Sequence, residues 1–201
     1  MRVEFAEKLA GTCKDMCPEK ERYMREVQRQ LTSYEMARDG EVDHLKAIKA
    51  YSRSSADQEE PLPHELRPTP TLEMSMLYIL HNIIPREETS EDLGNWYNFV
   101  WDRTRSIRKD ITQQQLFDIR AVNLMEKCAR FHIHCSSRLS ELDRHAFDPK
   151  LNDENLMKCL QSLEHMYTDL NLMGQTCKNE PEFRAYQILM NLNEGDILWY
   201  F

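Results

Sequence analysis

The chain has 201 residues, of which 41% are hydrophobic and 30% charged, with only five glycines and a net charge of −8. This composition excludes a disordered or collagen-like chain, because disorder requires fewer apolar residues and a collagen-like chain many more glycines. The acidic balance argues against an autonomous nucleic-acid binder, which usually has a basic domain. The length suits one substantial core, so we predict a single helical domain over residues 1–201.

The sequence offers no sign of export or membrane insertion. Residues 1–10 contain Glu4 and Glu7 and no apolar run, so they do not resemble a signal peptide. The longest uncharged apolar stretch, residues 74–84, is shorter than the roughly 20 residues that span a bilayer. We therefore expect a soluble intracellular protein, whose six cysteines are reduced thiols.

Residues 11–51 are predicted to form an N-terminal helical hairpin. Cys17-Pro18-Glu19 is typical of a helix start, because proline fits the first turn and acidic residues favour the positive end of the helix dipole. Asp39-Gly40 should end this helix, and a shorter one should run from about Glu41 to Tyr51. Their inward faces would consist of Met24, Val27, Leu31 and Tyr34 in the first helix and of Leu45 and Ile48 in the second.

Residues 52–70 are predicted to form an extended, proline-rich strap between two helical blocks. The segment has four prolines and no helical or alternating apolar period. Such a long connection in a compact domain usually has a binding or covering role. We expect it to be anchored by its two large apolar residues, Leu62 and Leu66. The alternative is a mobile linker, because residues 52–60 are as polar as disordered segments.

Residues 71–201 are predicted to form a stack of antiparallel helices. Helices should span about Thr71 to Ile84, a central buried helix ended by Pro85, then about Glu91 to Asp110 and residues 115–142. Another should begin at Asn152-Asp153-Glu154 and end at Gly174, and a further one should begin at Glu180-Pro181, before a final apolar turn at residues 197–201. Since nothing alternates like a strand, the predicted class is all-α.

Most of these helices have a predicted inner apolar stripe. In the helix from about Glu91 the stripe is Tyr97, Val100, Thr104, Ile107 and Ile111, and in the helix over residues 115–142 it is Leu124, Cys128, Phe131, Cys135, Leu139 and Leu142, widened by Val122, Met125, Ala129 and Ile133. In the helix that begins at Asn152 it is Leu156, Leu160, Leu163, Tyr167 and Leu170, and in the helix that begins at Glu180 it is Phe183, Tyr186 and Leu189.

Thiols and imidazoles at two places raise the question of a zinc site. The candidate ligands are Cys13, Cys17, His132, His134 and Cys135. Their spacing is poor for zinc, since two histidines two apart on a helix point to different faces. Cys128 and Cys135 also fall on an apolar stripe, where cysteine acts as a small hydrophobe. Without a nucleophile elbow, a phosphate loop or a metalloprotease helix, we predict no metal, no cofactor and no enzymatic activity.

The most basic local stretch is Trp101 to Lys109. Its candidate contact residues for RNA or a partner are Trp101, Arg103, Arg105, Arg108 and Lys109. An aromatic ring with several cations can stack on a base and neutralise phosphates. The other interpretation, which the acidic composition favours, is that Asp102, Asp110 and other acidic residues pair with these cations inside the helical stack.

Several ordered blocks give the chain a resemblance to a known family. The first, within Gly11 to Arg22, contains Cys13, Asp15, Met16, Cys17, Pro18, Glu19, Glu21 and Arg22, and the strap adds Leu66, Arg67 and Pro68. With Tyr51 to Ser54, Trp101 to Gln113 and Phe131 to His134, these blocks resemble the family of the germinal-centre-associated nuclear protein over residues 11 to about 198.

The resemblance implies the central helical domain of a scaffold in the nuclear complex that couples transcription to mRNA export. It implies a PCI-like helical repeat, although the C-terminal winged helix of the family is expected to be absent here. It also implies protein partners: a second PCI-domain protein and a very small acidic subunit, reached largely through the C-terminal part of the domain, with nuclear pore and export factors. We therefore expect a nuclear, non-enzymatic scaffold, also at the nuclear envelope and pores, that binds RNA only weakly or jointly with partners. An RNA-binding module acting through Trp101 to Lys109 is the alternative.

Overall fold

A computed structural model of the chain describes residues 9–37, 39–53, 60–89 and 92–192. The chain divides into two compact units, Met1–Leu116 and Phe117–Phe201. The all-α prediction is confirmed: the described residues contain six α-helices and no strand, only one isolated bridge between Met36 and Val42. The PCI-like arrangement and the single domain stay predictions. None of the described helices is long and apolar enough to cross a bilayer.

Three α-helices lie in each unit. The first unit contains α1 (Glu19–Val27), α2 (Thr69–Tyr78) and α3 (Leu93–Gln113), with short 3-10 turns at Ser33–Glu35 and Pro63–Glu65. After α2 the helical path continues as a π turn, Ile79–Ile83, and a 3-10 turn, Ile84–Thr89. The second unit contains α4 (Ile119–Arg138), α5 (Pro149–Leu172) and α6 (Glu180–Met190).

The predicted N-terminal hairpin is wrong beyond its first turns. Helix α1 begins as predicted, directly after Pro18, but it ends at Val27, and residues 41–51 form no helix. The helix also faces the other way: Arg25 is buried, whereas Met24 is 49% and Val27 84% exposed. Of the second predicted pair, Ile48 is buried and Leu45 is exposed. The face of α1 that carries Arg25 is turned inward because Arg25 pairs with the buried Glu35, and the apolar face with Met24 and Val27 is left exposed.

Helices α2 and α3 form an antiparallel pair in the first unit. The indole nitrogen of Trp96 donates to the Ile83 carbonyl at 3.0 Å, and the other end of α3 contacts Arg67, just before α2. All five predicted inner residues of α3 are buried, which confirms that stripe. The prediction that α2 is buried all round is wrong, since Met74 and Leu77 are nearly half exposed.

The strap is held at its C-terminal end. The backbone nitrogen of Thr12 donates to the Pro63 carbonyl at 2.7 Å and that of Cys13 to the Leu66 carbonyl at 3.0 Å. Leu66 is fully buried, as predicted, but the other expected anchor, Leu62, is 53% exposed. Residues 54–59, in which the mobile-linker alternative is centred, lie outside the described residues.

The helices of the second unit run antiparallel to their neighbours in sequence. Glu126 of α4 accepts a hydrogen bond from Tyr167 of α5, and the later His132 of α4 lies beside the earlier Asn152 of α5. The two helices therefore run in opposite directions. Residues of the predicted α4 and α5 stripes are buried, apart from the partly exposed Leu142 and Ile133. Predicted inner residue Leu189 of α6 is exposed. The expected apolar turn at residues 197–201 lies outside the described residues.

Helix α5 begins one turn earlier than predicted. Asp148 is its N-cap, accepting from the backbone nitrogens of Lys150 and Leu151, and Pro149 occupies the first helical position. Asn152, predicted as the cap, is instead a buried helical residue. The predicted end is confirmed, since Gly174 has a φ of +73°, the left-handed conformation that glycine adopts without strain.

Candidate functional site

Asp110 of α3 is the centre of a buried junction in the first unit. Its side chain is fully buried and accepts from Lys49 Nζ at 2.6 Å and from Arg67 Nε at 2.8 Å. The backbone nitrogen of Arg67 also donates to this carboxylate, at 3.3 Å. One carboxylate therefore ties the extended segment before the strap and the end of the strap to the same point of α3.

Arg67, a residue of the family signature, has hydrogen-bond partners in two other segments, α3 and the signature segment. Its guanidinium donates to Asp110, to the Met16 carbonyl at 3.2 Å and to Ser106 Oγ at 2.8 Å. The side chain has no solvent exposure, so each of these hydrogen bonds replaces one to water. Because charge-assisted bonds to a buried arginine are costly to lose, this residue fixes the relative position of the strap, α3 and the signature segment.

A second buried cluster surrounds Glu35. Its carboxylate accepts from Arg25 Nη2 at 2.6 Å, from Arg103 Nη2 at 3.0 Å and from the Ile48 backbone nitrogen at 3.1 Å. Burial would raise the pKa of Glu35, but the neighbouring charges of Arg103 and Arg25, with these hydrogen bonds, outweigh it and lower the pKa. Glu35 is therefore a charged buried carboxylate that joins α1, α3 and the segment between them.

The signature segment also touches the strap at close range. The Gly11 backbone nitrogen donates to Gln114 Oε1 at 2.8 Å, and Gln114 Nε2 donates to the Arg67 carbonyl at 2.8 Å. A Cβ atom at Gly11 would lie 2.5 Å from the Leu66 carbonyl oxygen, which is closer than atoms approach. Glycine is required there because the two backbones are in contact.

Most signature residues are buried or bound to other parts of the first unit. Cys13, Met16 and Cys17 are buried, and burial raises the pKa of the Cys17 thiol to about 12. Glu21 accepts from the Ala50 backbone nitrogen at 2.7 Å, and Arg22 pairs with Asp15 at 2.8 Å. Pro18 precedes α1, Glu19 is exposed in its first turn, and Pro68 precedes α2.

The predicted basic surface at Trp101 to Lys109 is only partly available. Arg103 is buried and paired with Glu35 and Asp102, which confirms the pairing interpretation for this residue. The guanidinium carbon of Arg105 lies 3.9 Å from the ring centroid of Tyr51 and 4.9 Å from that of Trp101. Within the described residues, Arg105 is thus held by two aromatic rings rather than by a carboxylate.

The other two cations of that stretch, Arg108 and Lys109, are partly buried and form no ion pair with the described residues. Lys109 Nζ donates to the carbonyl and hydroxyl of Ser52 at 2.7 and 3.2 Å. The Nε and Nη1 atoms of Arg108 are buried without a hydrogen-bond partner, as is Nε1 of Trp101. Asp110, expected to pair with this stretch, instead pairs with Lys49 and Arg67.

The zinc candidates are not gathered into a ligand set in the described parts of the chain, where no group of three or more potential metal ligands occurs. His132 is buried and its Nδ1 lies 2.8 Å from Asn152 Oδ1, whereas His134 is exposed. The two imidazoles therefore point to different faces of α4, as their spacing predicts. Cys128 and Cys135 are buried in the apolar stripe.

Several junction residues were missed from the sequence. They are Gly11, Glu35, Lys49, Ser106 and Gln114. For Glu35 a signal was present, because Thr32 followed three residues later by Glu35 is a capping-box pattern, and the structure contains that box. Lys49 and Gln114 have no comparable local signal, since their partners lie 61 and 103 residues away in sequence.

Comparison with known proteins places the chain in a family. The model of the SAC3/GANP family matches residues 16–201. Protein xmas of Drosophila melanogaster is 54% identical over 194 residues, which cover 94% of this chain and 9% of that protein. SAC3 family protein 1 of Schizosaccharomyces pombe is 41% identical over 199 residues, covering 98% of this chain and 19% of that protein.

A plant relative also matches nearly the whole chain. SAC3 family protein B of Arabidopsis thaliana is 37% identical over 194 residues, which cover 92% of this chain and 11% of that protein. The chain thus spans between 9% and 19% of the length of these three relatives. The family match covers the signature segment from Met16 onward, the strap and the six described helices, and the chain belongs to the SAC3/GANP family, whose members are associated with nuclear mRNA export.

Proposed function

We propose that this chain is a non-enzymatic scaffold module of a nuclear complex that couples transcription to the export of mRNA through nuclear pores. The observation that carries the proposal is the family match over residues 16–201, with identities of 37% to 54% to proteins from an insect, a plant and a yeast. Because the chain is a small part of each relative, the activity of the whole assembly belongs to the proposal.

The chemistry of the buried junction supports a structural role. Arg67 is bound to Asp110 and to the Met16 carbonyl, and Glu35 is bound to Arg25 and Arg103, so these charged groups are engaged in holding segments together. Burial raises the pKa of the Cys13 and Cys17 thiols, which disfavours the thiolate that a nucleophile requires. These features suit a rigid platform better than a catalytic centre.

The second unit has apolar side chains that suit protein docking. Four are well exposed near the ends of α5 and α6: Leu172, Met173, Leu189 and Leu192. Leu172 and Met173 lie at the C-terminal end of α5, whereas Leu189 and Leu192 lie at and just beyond that of the antiparallel α6, so they form two separate exposed apolar pairs, each a candidate contact for a partner. The proposed partners are a second PCI-domain protein and a very small acidic subunit, with nuclear pore and export factors, and the proposed location is the nucleus, including the nuclear envelope and pores.

RNA binding through Trp101 to Lys109 is the weaker alternative. Of the four cations in this stretch, Arg103 is buried in ion pairs and Arg105 is stacked between two rings. Only Arg108 and Lys109 then remain for phosphates, in a chain with a net charge of −8. Two contacts give little affinity at physiological salt, which agrees with RNA bound jointly with partners rather than by this chain alone.

Co-expression with the two proposed protein partners tests the scaffold function. The tagged chain, and a version extended at its C-terminus, are purified from cells that also produce the PCI-domain protein and the small acidic protein. We expect a stable complex with at least the extended version, weakened by Leu189→Glu and unaffected by Leu45→Glu, since both leucines are exposed but lie in different units. Failure of both versions to retain either partner would refute the proposal.

A further inference from the structure

A cavity of about 570 Å³ lies within the first unit, between α1, the two ends of the strap and α3. Its volume is in the range of cavities that bind small ligands or side chains of a partner. Its apolar wall is formed by Pro18, Met24, Ala50, Tyr51 and Pro61. Nothing in the buried junction described above fills this space.

Met24 is an apolar side chain that the fold leaves uncovered at this cavity. Its spacing predicts a core residue, yet it is half exposed and lines the cavity. Leu62, next to Pro61 of the cavity wall, is also half exposed. Apolar side chains that an amphipathic pattern marks for burial, but that the described part of the chain does not cover, are typical of a surface covered by another molecule.

Four cations and four carboxylates line the cavity, and among them Lys109 is a partly buried cation that forms no ion pair in the described parts of the chain, while Glu60, which also forms none, is exposed to solvent. Lys49 pairs with Asp110 at 2.6 Å and Lys20 with Glu65 at 3.4 Å. Lys109, by contrast, has no carboxylate within 4.0 Å among the described residues, and two of its three N–H groups donate to Ser52. Burial and the neighbouring charge of Lys49 lower the pKa of Lys109. An incoming anion would supply the missing counter-charge.

We propose that this cavity binds a short acidic and apolar peptide segment of a partner protein, with an apolar side chain against Met24, Tyr51 and Pro61 and a carboxylate on Lys109. The inference rests on the proposed scaffold function, which it deepens by naming the chemistry of one partner segment. The cavity belongs to the first unit, whereas the family resemblance places the PCI-domain protein and the small acidic subunit on the C-terminal part of the domain. The segment is therefore a separate contact.

The lining favours a peptide over RNA. Four carboxylates line the cavity beside its four cations: Glu21, Glu60, Glu65 and Asp110. An RNA chain has a negative charge at every residue and would meet these carboxylates along its length. A peptide segment can place a single carboxylate on Lys109 and neutral groups elsewhere, which fits one unbalanced cation beside an apolar wall.

Fluorescence anisotropy with defined probes tests the proposal. The acidic probe is a fluorescein-labelled 12-residue peptide in which Asp alternates with Leu and Phe, and the comparison probes are the same peptide with Lys for Asp and a single-stranded oligouridine. We expect binding of the acidic peptide alone, weakened about tenfold by Lys109→Met and kept by Lys109→Arg. Met24→Ser should weaken it about fivefold, because part of an apolar contact is lost.

Matched controls separate this site from general surface effects. Lys158→Met and Met173→Ser change an exposed cation and an exposed methionine of the second unit, and they should leave the affinity unchanged. All variants should melt as the parent chain does, since the altered side chains are partly exposed. Equal losses in the controls, absence of binding to the acidic peptide up to about 1 mM, or tighter binding of the lysine peptide or of RNA would overturn the proposal.

The co-expression experiment distinguishes this proposal from the scaffold function. If the peptide fails to bind while the PCI-domain protein and small acidic subunit still co-purify with the chain, the cavity proposal is wrong and the scaffold function stands. If the partners do not co-purify but Lys109-dependent peptide binding is found, the scaffold assembly is wrong and the cavity is a peptide site of another kind.

Discussion

The two units of the chain are stabilised in different ways. In the first unit, Glu35 and Asp110 are buried carboxylates bound to arginine and lysine side chains from distant segments. In the second unit, the ion pairs involve partly exposed residues such as Arg130 and Arg184, and the one buried carboxylate, Glu126, accepts from Tyr167 and Asn179 within the described helices. The first unit adds buried ion pairs to its apolar helix faces, whereas the described part of the second unit relies mainly on its apolar faces.

The difference follows from how regular each unit is. The described residues between 28 and 68 contain little helix, so their buried backbone groups need partners that a helix would supply internally. Side chains such as Glu35 and Lys49 supply those partners, at Ile48 and Glu65. The long helices of the second unit satisfy their own backbones, so their side chains are free to form an apolar core. Irregular segments of this chain are thus held in position by hydrogen bonds from polar side chains.

The largest effect is expected from breaking the junction. Asp110→Asn leaves Arg67 buried without a counter-charge, and loss of one partner of a buried pair costs about 3–5 kcal/mol. In the second unit, Glu182→Gln removes the partly exposed partner of Arg130, a pair that we expect to contribute about 1 kcal/mol or less. Urea unfolding, followed by hydrogen exchange in each unit, measures both. Equal losses would contradict the contrast between the units.

The strap offers a comparison between two leucines four residues apart. Leu66→Ala removes a fully buried side chain and should cost about 2–5 kcal/mol. Leu62→Ala removes an exposed one and should change stability by less than about 0.5 kcal/mol. Thermal melting of both variants tests this. A large loss from Leu62→Ala would show that the N-terminal end of the strap is also anchored.

Acid should destabilise the first unit through Glu35. Its pKa is lowered in the folded state, mainly because Arg103 and Arg25 outweigh the burial penalty, so the unfolded chain binds its proton more readily. The resulting stability is present above the unfolded pKa, near 4.3, and is lost as the pH falls through the lower folded value. Urea midpoints between pH 7 and 3 should therefore fall more steeply for the parent chain than for Glu35→Gln. If the urea midpoints of the parent chain and of Glu35→Gln fall equally with pH, protonation of Glu35 does not contribute to the acid sensitivity.

The smallest effect is expected on the outer face of α3. Changing Arg105, Arg108 and Lys109 together to Gln removes the contacts of Arg105 with Tyr51 and Trp101, which contribute about 0.5–1 kcal/mol each. The melting temperature should fall slightly, and RNA binding should be undetectable before and after the change. A salt-dependent RNA affinity of the parent chain, with a log-log slope of about −0.7 per phosphate that the triple variant abolishes, would instead favour the RNA-binding alternative.

Periodic apolar residues made most helices predictable. The stripe Tyr97, Val100, Thr104, Ile107 and Ile111 is buried in α3, and the starts of α1 and α6 follow the proline signals at Pro18 and Pro181. Cap identity was less predictable, since Asp148 and Asn152 both fit the start of α5. The structure selects Asp148 because Asn152 is needed beside His132.

The sequence by itself determined the all-α class, the family and the positions of the helices with a strong period, because local spacing and local caps are sufficient for these. Only the tertiary structure decided that Arg25 turns inward and Met24 outward, that Leu66 rather than Leu62 is buried, and that Asp110 joins Lys49 to Arg67. The junction at Asp110 depends on charges that are 61 and 43 residues apart in sequence and meet only after folding. Once such a pair is buried, the cost of leaving either charge unpaired exceeds the gain from burying one more apolar side chain.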